Sequence, residues 1–180
     1  VNGLLDFSKK EETCWENVNA NEVVEDALML SEHTLNRFKR VKVERQFAED
    51  LPMVEADKRQ LQQVFVNLIL NGAEAMPGGG TLTVRTSLDR RDGVPDDESI
   101  HRVEIAFIDS GVGIPKLNRD RVFEPFFTEG KKAGTGLGLS ICKSIMKKHR
   151  GEITFECPED GGTIFYIYIP VLTSTREQQK

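Results

Sequence analysis

A chain of 180 residues is long enough for one domain with a hydrophobic core. Its 38% hydrophobic and 29% charged residues exclude a disordered polyelectrolyte, and no apolar run approaches the roughly 20 residues that cross a bilayer. The net charge of -5 argues against a nucleic-acid ligand, and the widely spaced Cys14, Cys142 and Cys157 argue against a disulfide framework or zinc site, reading instead as reduced thiols of a cytoplasmic protein.

The opening residues, with Leu4, Leu5 and Ser8 at helical spacing, read as the last turns of a helix and its linker over residues 1–12. Asn19 and Glu22 form a capping-box pattern ahead of an amphipathic helix through Val23, Val24, Ala27, Leu28 and Leu35. Val41 to Phe47 alternates like a half-buried strand, and Met53-Val54 suggests a second, shorter one. Asp57 and Gln60 repeat the capping-box pattern before a helix carrying Leu61, Val64, Phe65, Leu68 and Ile69, which Pro77 and three glycines stop. Thr81–Leu88 and Arg102–Ile108 read as strands joined by an acidic loop. No period holds from Pro115 to Ala133. A helix is predicted from Gly136 to Arg150, closed by Gly151, followed by a hairpin of Ile153–Cys157 and Thr163–Ile169. The expected fold class is α+β: a two-layer sandwich with a mixed, largely antiparallel sheet of about five strands covered by about three helices on one face.

Three features carry chemistry. On the helix from Asp57, the residues Gln63, Asn67, Asn71 and Glu74 form a polar stripe beside the apolar one. Such a stripe is a solvated face on many helices. Amides, however, are short and fix geometry, and an amide oxygen suits Mg²⁺, which takes few protein ligands. Gly72 in mid-helix costs about 1 kcal/mol against Ala, which implies close approach by something. Second, Asp109-Ser110-Gly111-Val112-Gly113-Ile114 follows a strand. It is either a capped turn or a carboxylate that reads the amino group of adenine, with glycines beneath the ring. Third, Gly134-Thr135-Gly136-Leu137-Gly138-Leu139 opens a helix, either as a hinge or as an anion site at a positive helix end.

In this order, and with Phe123-Glu124-Pro125-Phe126-Phe127 between the last two, these motifs resemble the catalytic domain of bacterial sensor histidine kinases. That domain belongs to the ATPase superfamily that also contains DNA gyrase, MutL and heat-shock chaperones. The resemblance runs from about Asn19 to Pro170. It implies an ATP-binding domain over residues 13–172 with a polar tail over 173–180, and makes residues 1–12 the end of a dimerisation helix.

The resemblance further implies that Asn67 and Asn71 form the asparagine box, with Asn71 the Mg²⁺ ligand and Glu74 beside it. Asp109, Gly111, Gly113, Ile114 and Thr163 would surround adenine. Gly134, Thr135, Gly136, Leu137, Gly138 and Leu139 would wrap the phosphates, with Lys131 or Lys132 reaching one. Phe123, Phe126 and Phe127 would anchor a mobile lid over about 115–133, although each reads equally well as a core aromatic. The family often has Ala where this chain has Gly72.

Hydrolases of the superfamily place a glutamate base at the position of Asn67. An amide there implies ATP binding without rapid hydrolysis, and transfer of the γ-phosphoryl group to a histidine elsewhere. None of His33, His101 and His149 is followed by an acidic residue as the acceptor would be. His149 reads as part of a cationic helix end. The implied partners are the phosphoacceptor domain of the same kinase and a response regulator. No nucleic acid or membrane contact is expected, and the domain is expected to be monomeric. An ATP hydrolase, a serine kinase of the same fold and a sensor without transfer activity are the alternatives.

Overall fold

The computed structural model describes residues 13–38, 40–89, 101–128 and 135–171. The expected segments 1–12, 173–180, Lys131, Lys132 and Gly134, and most of the acidic loop, lie outside these.

The described elements run β1 (Glu16–Val18), α1 (Ala20–Leu35), β2 (Val41–Gln46), β3 (Val54–Ala56), α2 (Lys58–Glu74), β4 (Gly80–Asp89), β5 (Arg102–Asp109), a 3-10 turn (Lys116–Arg121), α3 (Gly138–Lys148), β6 (Glu152–Glu156) and β7 (Thr163–Pro170). Five strands form one sheet in the order β2-β4-β5-β7-β6. The β2–β4 pair is parallel and the other three pairs are antiparallel. The mixed five-stranded sheet with helices is the expected architecture. The short strand expected at Met53-Val54 is β3, and what the sequence did not disclose is its pairing with β1 in a separate two-stranded ribbon.

One face of the sheet is covered. In β7 every second residue is buried, and in β4 Leu82, Val84 and Thr86 alternate with half-buried neighbours, as a one-sided sheet requires. Against this face α2 sets Leu61, Val64, Phe65, Leu68 and Ile69, with Phe65 and Phe107 in tilted contact at 5.6 Å. Helices α1 and α3 flank α2. The buried Thr86 hydroxyl donates to Asn21 Oδ1 and accepts from the Ala48 N–H, fixing the start of α1 over β4.

The helix ends differ in part from the capping patterns in the sequence. Asn19 caps α1 through the Asn21 N–H. Asp57 caps α2 through the Gln60 N–H, but its own N–H donates to His149 Nε2 rather than to a Gln60 acceptor. Helix α3 begins at Gly138 because Gly136 has φ +68°, outside the right-handed helix. It ends at the C-cap His149, and the left-handed position that follows is filled by Arg150 at φ +53°, not by Gly151.

Candidate functional site

The end of β5, the start of β7 and the C-terminal half of α2 gather around one carboxylate, and the start of α3 meets α2 at Asn67. Strand alternation places Asp109 on the same covered face as Ile105 and Phe107, so it is delivered beneath α2 at 6% exposure. It pairs in register with Thr163. Its Oδ1 accepts from the Gly111 N–H at 2.9 Å, and Thr163 bonds it through backbone and side chain. Burial pushes the Asp109 carboxyl above its ordinary value of 3.8, while the bonds from Gly111 and Thr163 pull the other way.

The loop after β5 is tied to its surroundings by backbone. Val112 N–H donates to the Ala75 carbonyl at the end of α2, and Gly162 N–H donates to the Gly111 carbonyl. Ile114 packs on the core, and Gly113 takes φ +72° against Gly162. The mid-helix glycine is explained here. A Cβ at Gly72 would stand 2.9 Å from Leu82 Cδ1 and 3.5 Å from Asp109 Cβ, so it is the sheet that approaches α2 at this point.

Asn67 faces α3: its Nδ2 lies 3.5 Å from the Gly138 carbonyl and 3.6 Å from Cys142 Sγ, which assigns the amide nitrogen to that side. Cys142 is fully buried and directs its thiol to the Val64 carbonyl. Burial pushes that thiol up to about 11, so it stays neutral at physiological pH and acts as packing. Asn71 lies one turn beyond Asn67 and is half-buried, whereas Glu74 is exposed.

No group of three or more His, Cys, Asp or Glu side chains suited to a metal occurs among the described residues. The chemistry of the donor set still fits Mg²⁺, because a neutral amide such as that of Asn71 supplies one oxygen and leaves the remaining positions to phosphate and water.

At the start of α3 Leu137 sits at the N-cap and makes no side-chain cap hydrogen bond, and the first-turn N–H groups of a helix are where an anion can be received. The Gly136 carbonyl accepts from the Phe126 N–H at 2.9 Å, and a Cβ on Gly136 would meet the Phe126 carbonyl carbon at 2.5 Å. Leu139 packs on the core.

The three phenylalanines take different roles. Phe123 is packed against Phe155, whose ring lies 6.0 Å away. Phe127 lies under the Arg121 guanidinium at 4.7 Å. Phe126 is 74% exposed, and it is its backbone, at φ +65°, that holds Gly136. Two concavities, of about 520 Å³ beside Arg119 and Cys157 and about 480 Å³ between α1 and β2, lie away from Asp109, so the site is defined by its hydrogen bonds rather than by either cavity.

The reading of His149 as part of a cationic helix end needs correction. It is 3% exposed, its Nε2 accepts the Asp57 N–H at 3.0 Å, and its Nδ1 lies 2.9 Å from the Ile145 carbonyl. An imidazole that accepts at one nitrogen and donates at the other is neutral. Sequence gave no sign of this role, because the partner lies 92 residues away.

Residues 56–173 match the family of histidine kinase-, DNA gyrase B- and HSP90-like ATPases. The chain is 30% identical to sporulation kinase E of Bacillus subtilis over 99% of its own length, and it spans 23% of that protein. Among solved structures, it superposes on the catalytic domain of the histidine kinase ThkA with a TM-score of 0.71 and 32% identity, covering 87% of this chain and 95% of that one. It also superposes on ThkA in a complex with the response regulator protein TrrA, with a TM-score of 0.66 and 28% identity, covering 90% of this chain and 43% of that one.

Proposed function

The chain belongs to the family of histidine kinase-, DNA gyrase B- and HSP90-like ATPases, and from that premise we propose that it is the Mg-ATP-binding catalytic unit of a two-component sensor histidine kinase. The observation that carries this reading is the Asp109 carboxylate, buried and oriented by Gly111 and Thr163. It offers a fixed acceptor for the exocyclic amino group of adenine, where guanine would present a carbonyl. Asn71 would contribute the amide oxygen to Mg²⁺, which supplies charge neutralisation on the phosphates. Thr135, Gly136 and the first turn of α3 would receive the phosphate oxygens, with Gly134 and either Lys131 or Lys132 completing the cradle.

Asn67 decides between transfer and hydrolysis. Its amide cannot take a proton from water at neutral pH, so catalysis rests on holding the γ-phosphoryl group in line for an acceptor, in this proposal a histidine of a separate dimerisation domain. The ThkA complex with TrrA supports a response regulator as the downstream partner.

Nucleotide titration tests the reading. Asp109→Asn is expected to weaken adenine nucleotide binding at least tenfold, about 1.4 kcal/mol, and Asn71→Ala to abolish the Mg²⁺ dependence of ATP binding. If both variants bound Mg-ATP like the unaltered chain, the site assignment would fail. With a dimerisation domain supplied in trans, the product should be acid-labile phosphohistidine. Steady-state hydrolysis near 1 s⁻¹ without an acceptor, an ordinary enzymatic rate, would instead identify a hydrolase.

A further inference from the structure

Helices α2 and α3 run antiparallel and are pinned by polar contacts at both ends. Near the nucleotide site, Asn67 meets Gly138 and Cys142. At the far end, the Asp57 N–H donates to His149 Nε2, with Asp57 4% and His149 3% exposed. Between these pins the Cys142 thiol donates to the Val64 carbonyl at 3.8 Å, a long and weak contact, and the packing of Ile145 and Met146 is not directional, so neither by itself stops α3 from sliding along its axis. A short hydrogen bond does, because it tolerates only a few tenths of an ångström. Helix α3 has 11 residues, a rod of about 16 Å, so the position of its last residue sets that of its first.

We infer that His149 is a positioning residue for the phosphate cradle, setting from the far end of α3 where the N–H groups at Gly136 and Gly138 stand. This rests on the nucleotide reading of the site. The same node also holds the N-terminal ribbon. Asp57 Oδ2 accepts the Cys14 N–H at 3.0 Å, and the Trp15 ring lies 4.8 Å from the His149 ring. A displacement of residues 14–18 therefore reaches the cradle through one buried pair, and by linkage nucleotide binding must act back on Trp15 to the same extent.

The adenine-reading groups, Asp109 and Thr163, stand on β5 and β7 rather than on α3. Loss of the pin should therefore split the affinities. Adenosine and Mg-ATP are titrated by NMR into the unaltered chain, His149→Gln and His149→Leu. His149→Leu, which leaves the Asp57 N–H without its acceptor, is expected to bind Mg-ATP about tenfold more weakly and adenosine within about twofold of the unaltered chain. His149→Gln, which can still accept that N–H, is expected to restore most of the loss.

Equal losses for both ligands, or none, would overturn the inference while leaving the nucleotide reading standing. If the unaltered chain bound neither ligand, that reading would fall and take the inference with it. Should His149→Leu not fold, the fluorescence of Trp15, the single tryptophan of the chain, decides. A change on adding Mg-ATP that adenosine does not produce supports the pin, and no change with Mg-ATP overturns it.

Discussion

Burial disfavours the ionised form of Asp109 in the folded chain. In the unfolded chain its carboxyl titrates near 3.8, and burial raises it in the folded one. Below about 3.8 both states hold the proton and nothing is lost, whereas as pH rises through the raised folded value the native state must keep a charge that water would solvate better. Its contribution is thus unfavourable at neutral pH and absent in acid. Asp109→Asn keeps an oxygen to accept from the Gly111 N–H and removes the charge. It is therefore expected to equal or exceed the parent in stability at pH 7, by up to about 1 kcal/mol, with the difference gone below about pH 3.8. Denaturant midpoints at the two pH values, read beside the loss of adenine binding, measure this exchange of stability for function. A variant clearly less stable at pH 7 would show that the carboxylate is held for structure.

At this scale the sequence was informative where a residue type has few structural uses. A carboxylate at the end of an apolar strand and paired amides on one helix stripe are unusual enough to stand out. Cys142 and His149 are ordinary helix residues whose roles depend on the Val64 carbonyl and the Asp57 N–H, 78 and 92 residues away.

Among the elements, the end of α3 departs most clearly from local rules. The Gly151 N–H returns to the Met146 carbonyl and the Arg150 N–H to the Lys147 carbonyl, a Schellman closure whose left-handed position falls on Arg150. A side chain in that conformation costs about 1–2 kcal/mol. Glycine is required one residue later, because a Cβ on Gly151 would lie 2.5 Å from both Met146 Cε and the Tyr168 carbonyl oxygen. The sequence pattern identified the right glycine and gave it the wrong job: packing against β7 fixed its place, and the helix had to close on arginine. Arg150→Gly is accordingly expected to stabilise the chain by about 1 kcal/mol after the backbone entropy of glycine is counted, raising the thermal midpoint by about 2–4 °C. Gly151→Ala is expected to lower stability by about 1–3 kcal/mol, since the Tyr168 carbonyl is backbone and cannot easily yield. Differential scanning calorimetry distinguishes these opposite signs, and an unchanged or lowered midpoint for Arg150→Gly would contradict the strain argument.

For the whole molecule, alternation in the sequence disclosed the strands of the main sheet but not their partners. The parallel pairing of β2 with β4 requires a crossover, here made by β3 and α2, and a register between distant segments is not written in either strand alone. Met53-Val54 pointed to β3, but β1 and its pairing with β3 escaped notice because three residues per strand carry too little pattern. These differences in pairing predict a gradient of local stability. Strand β5 is bonded on both sides, by β4 and β7, while β2 and β6 are edges and the ribbon is short. Amide hydrogen exchange should be slowest in β5, with protection approaching that of global unfolding, faster in β2 and β6, and fastest in the ribbon. One amide should break the gradient. The Asp57 N–H adjoins the ribbon yet donates to a buried imidazole, so it should exchange far more slowly than the amides of residues 54–56. Its protection should vanish in His149→Leu while that of β5 persists, because the acceptor is lost but the sheet is not. If β2 exchanged as slowly as β5, or Asp57 as fast as the ribbon, neither the edge position of β2 nor the buried pair could be governing the order in which this molecule opens.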